Sequence, residues 1–182
     1  MTAETTKMSG GTAIVDALIR NGVDTVFGIP GVQLDPLFDA FHHAKNRIRV
    51  VHNRHEQGAG YMALGYAQAT GRVGTCVVVP GPGLLNAAAA ISTGYSLNSQ
   101  MLCIVGQIPS HLIGKGTGQL HELPDQLAIA EGLTKWAKRM DAPGDVPGAM
   151  AEAFRQLNTG RRRPVEVEMA LDIMKAESDV SP

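Results

Sequence analysis

Short apolar, β-branched runs alternate with longer stretches of helical spacing along the 182-residue chain. Residues 12–20 place apolar side chains at helical intervals and stop at Asn21-Gly22, a favourable helix end. A short strand is predicted over 24–27, running into Gly28-Ile29-Pro30-Gly31. A second helix is predicted over 34–43, with Leu34, Leu37, Phe38 and Phe41 on one face. Ile48, Val50 and Val51 mark another strand, and 56–70 reads as a helix closed by Gly71. The continuous apolar run 75–79 predicts a buried strand, followed by Pro80-Gly81-Pro82-Gly83 and an Ala-rich helix over 84–97. Beyond it come a buried strand at 101–105, a short helix at 124–130 and a longer one at 145–157. The alternating run 164–169 reads as a last strand near a sheet edge, and the polar tail 175–182 as a linker.

Strand followed by helix, repeated, with strands apolar on both faces, is the pattern of an α/β fold. The expected architecture is a mostly parallel central sheet with helices on both faces. Ligands of such folds gather at the carboxyl ends of the strands. Three turns belong there: Gly28 to Gly31, Pro80 to Gly83, and Gly106 to Pro109.

Composition narrows the function classes. Lys and Arg total 16 against 17 Asp and Glu, so a net charge of -1 gives no broad electrostatic claim on nucleic acid or an anionic membrane. Hydrophobic residues at 44% and charged residues at 18% argue against wholesale disorder, and aromatics at 4% against a base-stacking platform. No apolar run reaches bilayer length, and residues 1–10 lack the layout of a signal peptide. Cys76 and Cys103 each sit in an apolar run, as expected for reduced core thiols of a cytoplasmic protein.

Familiar motifs fail on inspection. Gly81-Pro82-Gly83-Leu84-Leu85-Asn86 has Asn where a dinucleotide fingerprint needs its third Gly, and Pro82 removes an amide donor. Around Lys115, Pro109 and Gly116 stand where a phosphate loop needs Gly and Ser or Thr, so 114–118 reads as a Gly-rich surface loop. His121-Glu122-Leu123-Pro124-Asp125 is not a zinc helix, and His52, His55 and Glu56 have no further support as a metal cluster. Arg161-Arg162-Arg163 reads either as a solvated helix-end cluster or as a contact for an acidic partner.

Glu56 is different. It opens a helix whose other residues include Gly58, Ala59, Gly60, Met62, Ala63, Leu64, Gly65, Ala67 and Ala69. A helix so small and apolar on nearly every side is expected to be buried, with close approach of another backbone. A first-turn Glu is also what a helix dipole favours at the surface. Buried without a cation, its carboxyl would hold a proton more firmly and could share one with a ligand nitrogen.

These residues carry a resemblance. Gly28-Ile29-Pro30-Gly31, Arg54-His55-Glu56 with Ala59, Met62, Ala63, Gly65-Tyr66-Ala67 and Thr70-Gly71, Gly81-Pro82-Gly83 with Asn86, and Gly106-Gln107-Ile108-Pro109 follow in order. The chain resembles, from about residue 9 to 173, the N-terminal pyrimidine-binding (PYR) domain of thiamine-diphosphate enzymes. The nearest group is that of acetolactate synthase, pyruvate oxidase and benzoylformate decarboxylase.

The resemblance implies a division of labour. Glu56 matches the glutamate that hydrogen-bonds N1′ of the aminopyrimidine, favouring the tautomer whose 4′-nitrogen removes the thiazolium C2 proton. Pro30 and Gly31 match the turn against the cofactor. Pro80, Gly83 and Asn86 match the second turn beside the pyrimidine, and Gln107 a glutamine reaching toward substrate. The implied chemistry makes or breaks a C–C bond next to a carbonyl, on a 2-oxo acid or related substrate. Two departures stand out. The run Gly118-Gln119-Leu120-His121-Glu122 lacks the Phe of the synthase Phe-Gln-Glu pattern, and no Gly-Asp-Gly occurs in the chain. The diphosphate and Mg²⁺ are therefore expected on a PP domain of the same or another polypeptide, with no metal on this chain. FAD accompanies the cofactor in some relatives, and PYR domains are expected to pair in a dimer or tetramer. The expected layout is a flexible N-terminus (1–8), the PYR domain (9–174) and a linker toward a middle domain (175–182). Alternatives are a non-catalytic oligomerisation module of the same fold and a flavodoxin-like nucleotide-binding domain.

Overall fold

The computed structural model describes residues 5–181. In chain order its elements are β1 (Thr6–Ser9), α1 (Gly10–Arg20), β2 (Thr25–Gly28), α2 (Asp35–His43), β3 (Arg49–His52), α3 (Glu56–Thr70), β4 (Gly74–Val78) and α4 (Pro82–Ser96). There follow β5 (Met101–Gln107), α5 (Gln126–Leu133), β6 (Trp136–Met140), α6 (Val146–Asn158), β7 (Val165–Ala170), α7 (Leu171–Lys175) and β8 (Glu177–Val180). Six strands form one sheet in the order β3-β2-β4-β5-β7-β6, and every neighbouring pair is parallel.

Two apolar cores cover the sheet. On one face Ile14 and Leu18 of α1, Leu37 and Phe41 of α2, and Met150 and Leu157 of α6 meet Val77, Leu102, Ile104 and Val167. On the other, Ala59 and Ala63 of α3, Leu84 and Ile91 of α4, and Ala130 of α5 meet Cys76, Val78, Cys103 and Val105. Strands β4, β5 and β7 are buried throughout, which is why their sequences run apolar without a solvent-facing alternation. Local chemistry sets the helix ends. The Ser9 hydroxyl accepts the Thr12 N–H at 3.2 Å, the Asp125 carboxylate the Ala128 N–H at 3.1 Å, and His55 Nδ1 the Gln57 N–H at 3.2 Å. Gly71, at φ 69°, ends α3 in the left-handed conformation.

Three expectations are corrected. The strand of 164–169 does lie near a sheet edge, one strand in, between β5 and β6, but its alternation marks no wet face: Glu166 and Glu168 are fully buried. The edge is β6, whose Lys138 is exposed, as suits an edge strand. Part of the expected arm and tail is paired: Thr6 to Ser9 run antiparallel to Val180 to Glu177 in a separate ribbon. Residues 1–4 and Pro182, part of the expected arm and linker, lie outside the described residues. Arg163 is not solvated with its neighbours. Its guanidinium lies 3.9 Å from the Tyr95 ring centre and donates to the Tyr95 hydroxyl at 2.6 Å. Cys76 and Cys103 are buried, free, and side by side on β4 and β5.

Candidate functional site

Parallel strands deliver all their carboxyl ends to one edge of the sheet. The chain runs from β2 outward to β3, then returns to β4 on the opposite side of β2. That reversal makes the carboxyl ends of β2 and β4 the switch point of the sheet, the usual ligand position in such folds. Pro30 and Gly31 leave β2 there, and Val79, Pro80 and Gly81 leave β4.

Glycine is required where these turns meet. A Cβ on Gly31 would overlap Val79 Cγ1, and one on Gly83 would lie 2.7 Å from Val79 Cγ2. Val79 is therefore clasped between the two. Gly81 adopts φ 59° and ψ −113°, and a Cβ there would stand 2.5 Å from the His121 carbonyl oxygen. Pro82 occupies the first turn of α4, where a missing N–H costs nothing to the helix.

Glu56 and Asn86, 30 residues apart, meet at this edge: Asn86 Nδ2 donates to Glu56 Oε2 at 3.0 Å. The contact exists because α3 and α4 pack side by side with Gly60 against Ala87 and Ala90, which brings their first turns together. In this chain Glu56 is partly exposed, and α3 is not buried on nearly every side. Ala59, Gly60, Ala63, Leu64 and Ala67 face inward, whereas Tyr61, Met62 and Gly65 are exposed. Leu85 of α4 is exposed beside Asn86, and Leu97 just past the far end of α4 is exposed as well, so the outer side of α3 and α4 carries apolar side chains.

The remaining predicted residues divide. Pro80 and Gly83 are buried and Pro30 is exposed at the same edge. Gln107 ends β5 and is buried, with its Oε1 accepting the Ile108 N–H at 2.8 Å, so its carbonyl turns back on its own backbone. Ser110, just beyond, donates both its N–H (2.8 Å) and its hydroxyl (2.6 Å) to Asp172. Burial pushes the Asp172 carboxyl up, but these bonds outweigh it and leave the group below the usual range.

Gln33 carried no signal in the sequence, and the role of the 118–122 loop is to pack against it. Gln33 is buried; its Nε2 donates to the Leu120 carbonyl at 3.1 Å and its Oε1 lies 3.2 Å from His121 Nδ1. The loop holding Leu120 and His121 is shaped by Glu122, whose Oε2 accepts the Gly118 and Gln119 N–H groups at 2.6 and 2.8 Å. The Gln119 bond, reinforced by the other backbone donors, holds the Glu122 carboxyl below the usual range. Among the described residues no group of three or more His, Cys, Asp or Glu side chains is placed to hold a metal ion. No described helix is long and apolar enough to cross a membrane.

Residues 8–129 match the family described as "Thiamine pyrophosphate enzyme, N-terminal TPP binding domain". The chain is 40% identical over 169 residues to a probable 2-ketoarginine decarboxylase of Pseudomonas aeruginosa, covering 93% of this chain and 30% of that protein. It is 40% identical over 173 residues to the acetolactate synthase large subunit of Corynebacterium glutamicum, covering 95% and 27%. The mitochondrial acetolactate synthase catalytic subunit of Saccharomyces cerevisiae is 35% identical over 169 residues, covering 93% and 24%. The chain thus spans 30% or less of the length of these curated relatives. Taken with the parallel sheet and the clustered turns, the match places the chain in the family of N-terminal thiamine-pyrophosphate-binding domains of thiamine pyrophosphate enzymes.

Proposed function

We propose that this chain supplies the pyrimidine-side half of a thiamine-diphosphate site in an enzyme that makes or breaks a C–C bond next to the carbonyl of a 2-oxo acid. The observation that carries this reading is the Glu56–Asn86 contact between the first turns of α3 and α4, at the carboxyl edge of the sheet. One carboxylate oxygen is held by the Asn86 amide, which fixes the group's direction at the mouth of the sheet. Glu56 then holds a proton against a ring nitrogen of the aminopyrimidine, and Asn86 keeps it aimed there. Gly31 and Gly83 make room for the Val79 side chain and so let the turns after β2 and β4 close on each other beside Glu56 and Asn86. Thiamine diphosphate, when bound, supplies the carbon nucleophile for the carbonyl.

The names of the relatives, a decarboxylase of a keto acid and acetolactate synthases, support a lyase or synthase reaction. Their greater length supports a separate PP domain holding the diphosphate and Mg²⁺, on the same or another polypeptide. Gln107, at the end of β5, is the candidate for contact with substrate. The exposed apolar face of Tyr61, Met62, Leu85 and Leu97 supports pairing with a second PYR domain in a dimer or tetramer of a cytoplasmic enzyme. Family membership leaves the flavodoxin-like alternative without support, and the retained Glu56 argues against a purely structural module.

The test is turnover of 2-oxo acids by the full-length polypeptide containing this domain, with and without thiamine diphosphate. Cofactor-dependent turnover that drops about 10²- to 10⁴-fold in Glu56→Gln is the expected result. Turnover that needs no thiamine diphosphate would refute the reading.

A further inference from the structure

We propose that Gln126 is a positioning residue for the candidate site, a strut that sets the Pro80–Gly83 turn and, through it, the Asn86 amide on Glu56. The proposal rests on the reading of Glu56 given above. It starts from a shortage of donors. Pro80 and Pro82 have no N–H, so the Gly81 amide is the one backbone donor between Val79 and Gly83. That amide points inward and donates to Gln126 Oε1 at 2.8 Å. Gln126, the first residue of α5, is only 1% exposed. Its Nε2 donates to the Gly106 carbonyl at 3.0 Å and to Glu168 Oε2 at 2.6 Å. One carboxamide therefore ties together the turn after β4, the end of β5 and the buried face of β7.

The orientation of the carboxamide is not free. Rotating it by half a turn would set its oxygen against the Gly106 carbonyl and the Glu168 carboxylate, and its NH₂ against the Gly81 N–H. Glu168 is itself fixed by Arg139 of the edge strand β6, with Nε 2.5 Å from Oε1. The chain of contacts thus runs from Arg139 through Glu168 and Gln126 to Gly81. Gly81 could not hold its conformation by side-chain packing, since it has none and a Cβ would strike His121. Three residues after Gly83, on the same first turns of α4, Asn86 reaches Glu56. Losing the strut frees the base of that helix, and small displacements of positioned groups are costly to rate.

Two variants of the full-length polypeptide separate this role from simple packing. Gln126→Leu removes all three bonds. Gln126→Glu can still accept from Gly81 in either protonation state, but can donate, once, to Glu168 only while protonated. Its carboxylate partner is Glu168 on β7, itself paired with Arg139 on β6; the other titratable side chains on the neighbouring elements are Glu166 on β7 and His121 on the loop whose backbone lies over Gly81. Without cofactor, hydrogen exchange of the segment 80–82 reads the Gly81 amide alone, because its neighbours are prolines. Gln126→Leu should lose about tenfold or more of that protection. With thiamine diphosphate bound, exchange of its C2 proton should slow about 10- to 100-fold in Gln126→Leu. In Gln126→Glu the same rate, relative to wild type, should stay near one at acidic pH and fall as pH rises. If Gln126→Leu does not fold, that pH slope decides: its presence supports the strut and its absence overturns it. Wild-type C2 exchange in both Gln126 variants, beside slow exchange in Glu56→Gln, would overturn the strut and leave the role of Glu56 standing. Unchanged exchange in Glu56→Gln would overturn both.

Discussion

Replacing Glu166 with leucine should stabilise the domain, by an amount that grows with pH. Glu166 lies on β7 between Cys103 of β5 and Ala137 of β6 and is fully buried. Neither of its carboxyl oxygens has a hydrogen-bond partner among the described residues. An unsatisfied buried polar group costs about 1–3 kcal/mol, and leucine of similar length removes the group without emptying the space. Burial first, and then the neighbouring Glu168, push the Glu166 carboxyl well above the ordinary carboxylate range, with Arg139 opposing them. The folded chain therefore keeps a proton that the unfolded chain releases at an ordinary glutamate value. Wild-type stability is highest below that value and falls as pH rises toward the folded one, with a limiting slope of about 1.4 kcal/mol per pH unit. Glu166→Leu lacks this loss, so its advantage should be about 1–3 kcal/mol near pH 5 and larger at pH 7. Urea unfolding followed by the fluorescence of Trp136, the single tryptophan and a neighbour on β6, measures both. A variant less stable than wild type, or a gap that does not change between pH 5 and 7, would refute the reasoning.

Asn86→Ala should leave the fold intact and lower the C2 exchange rate of bound thiamine diphosphate about tenfold, the scale of one hydrogen bond; an unchanged rate would show that Glu56 needs no orienting amide. Met62→Glu combined with Leu85→Glu should convert assemblies of the full-length enzyme toward monomers, read by light scattering, because two exposed apolar positions on α3 and α4 become charged. Gly81→Ala should disturb the turn through its left-handed φ and the His121 contact, lowering the stability measured by urea unfolding by about 1–3 kcal/mol and exposing the Gly81 segment to hydrogen exchange.

The α/β architecture was legible because local and tertiary demands agree along most of the chain. Glu56 to Thr70 has helix formers within and Gly71 just beyond, and β4 and β5 are apolar because helices cover both of their faces. Legibility failed where partners are distant. Trp136 to Met140 reads as a charged segment because an edge strand carries charge, so β6 was missed. The alternation of Val165 to Glu168 suggested one wet face. Glu168 is instead buried on a dry one, held by Arg139 and Gln126, and no local pattern encodes that pairing. The terminal strands β1 and β8 are short and polar, and each is ordered by the other from the opposite end of the chain. At the site, the turns and Glu56 stand out as glycines and an acid at helix starts, whereas Gln33, His121 and Gln126 matter only through contacts across the fold. The expected burial of α3 overshot because small residues on its outer face leave a surface that this chain alone does not cover.

The most direct measurement is the exchange rate of the C2 proton of bound thiamine diphosphate in the full-length polypeptide and in Glu56→Gln, both saturated with cofactor and without 2-oxo acid. A proton-relay role for Glu56 predicts a rate about 10²- to 10⁴-fold lower in the variant. Equal rates in the two proteins would contradict it.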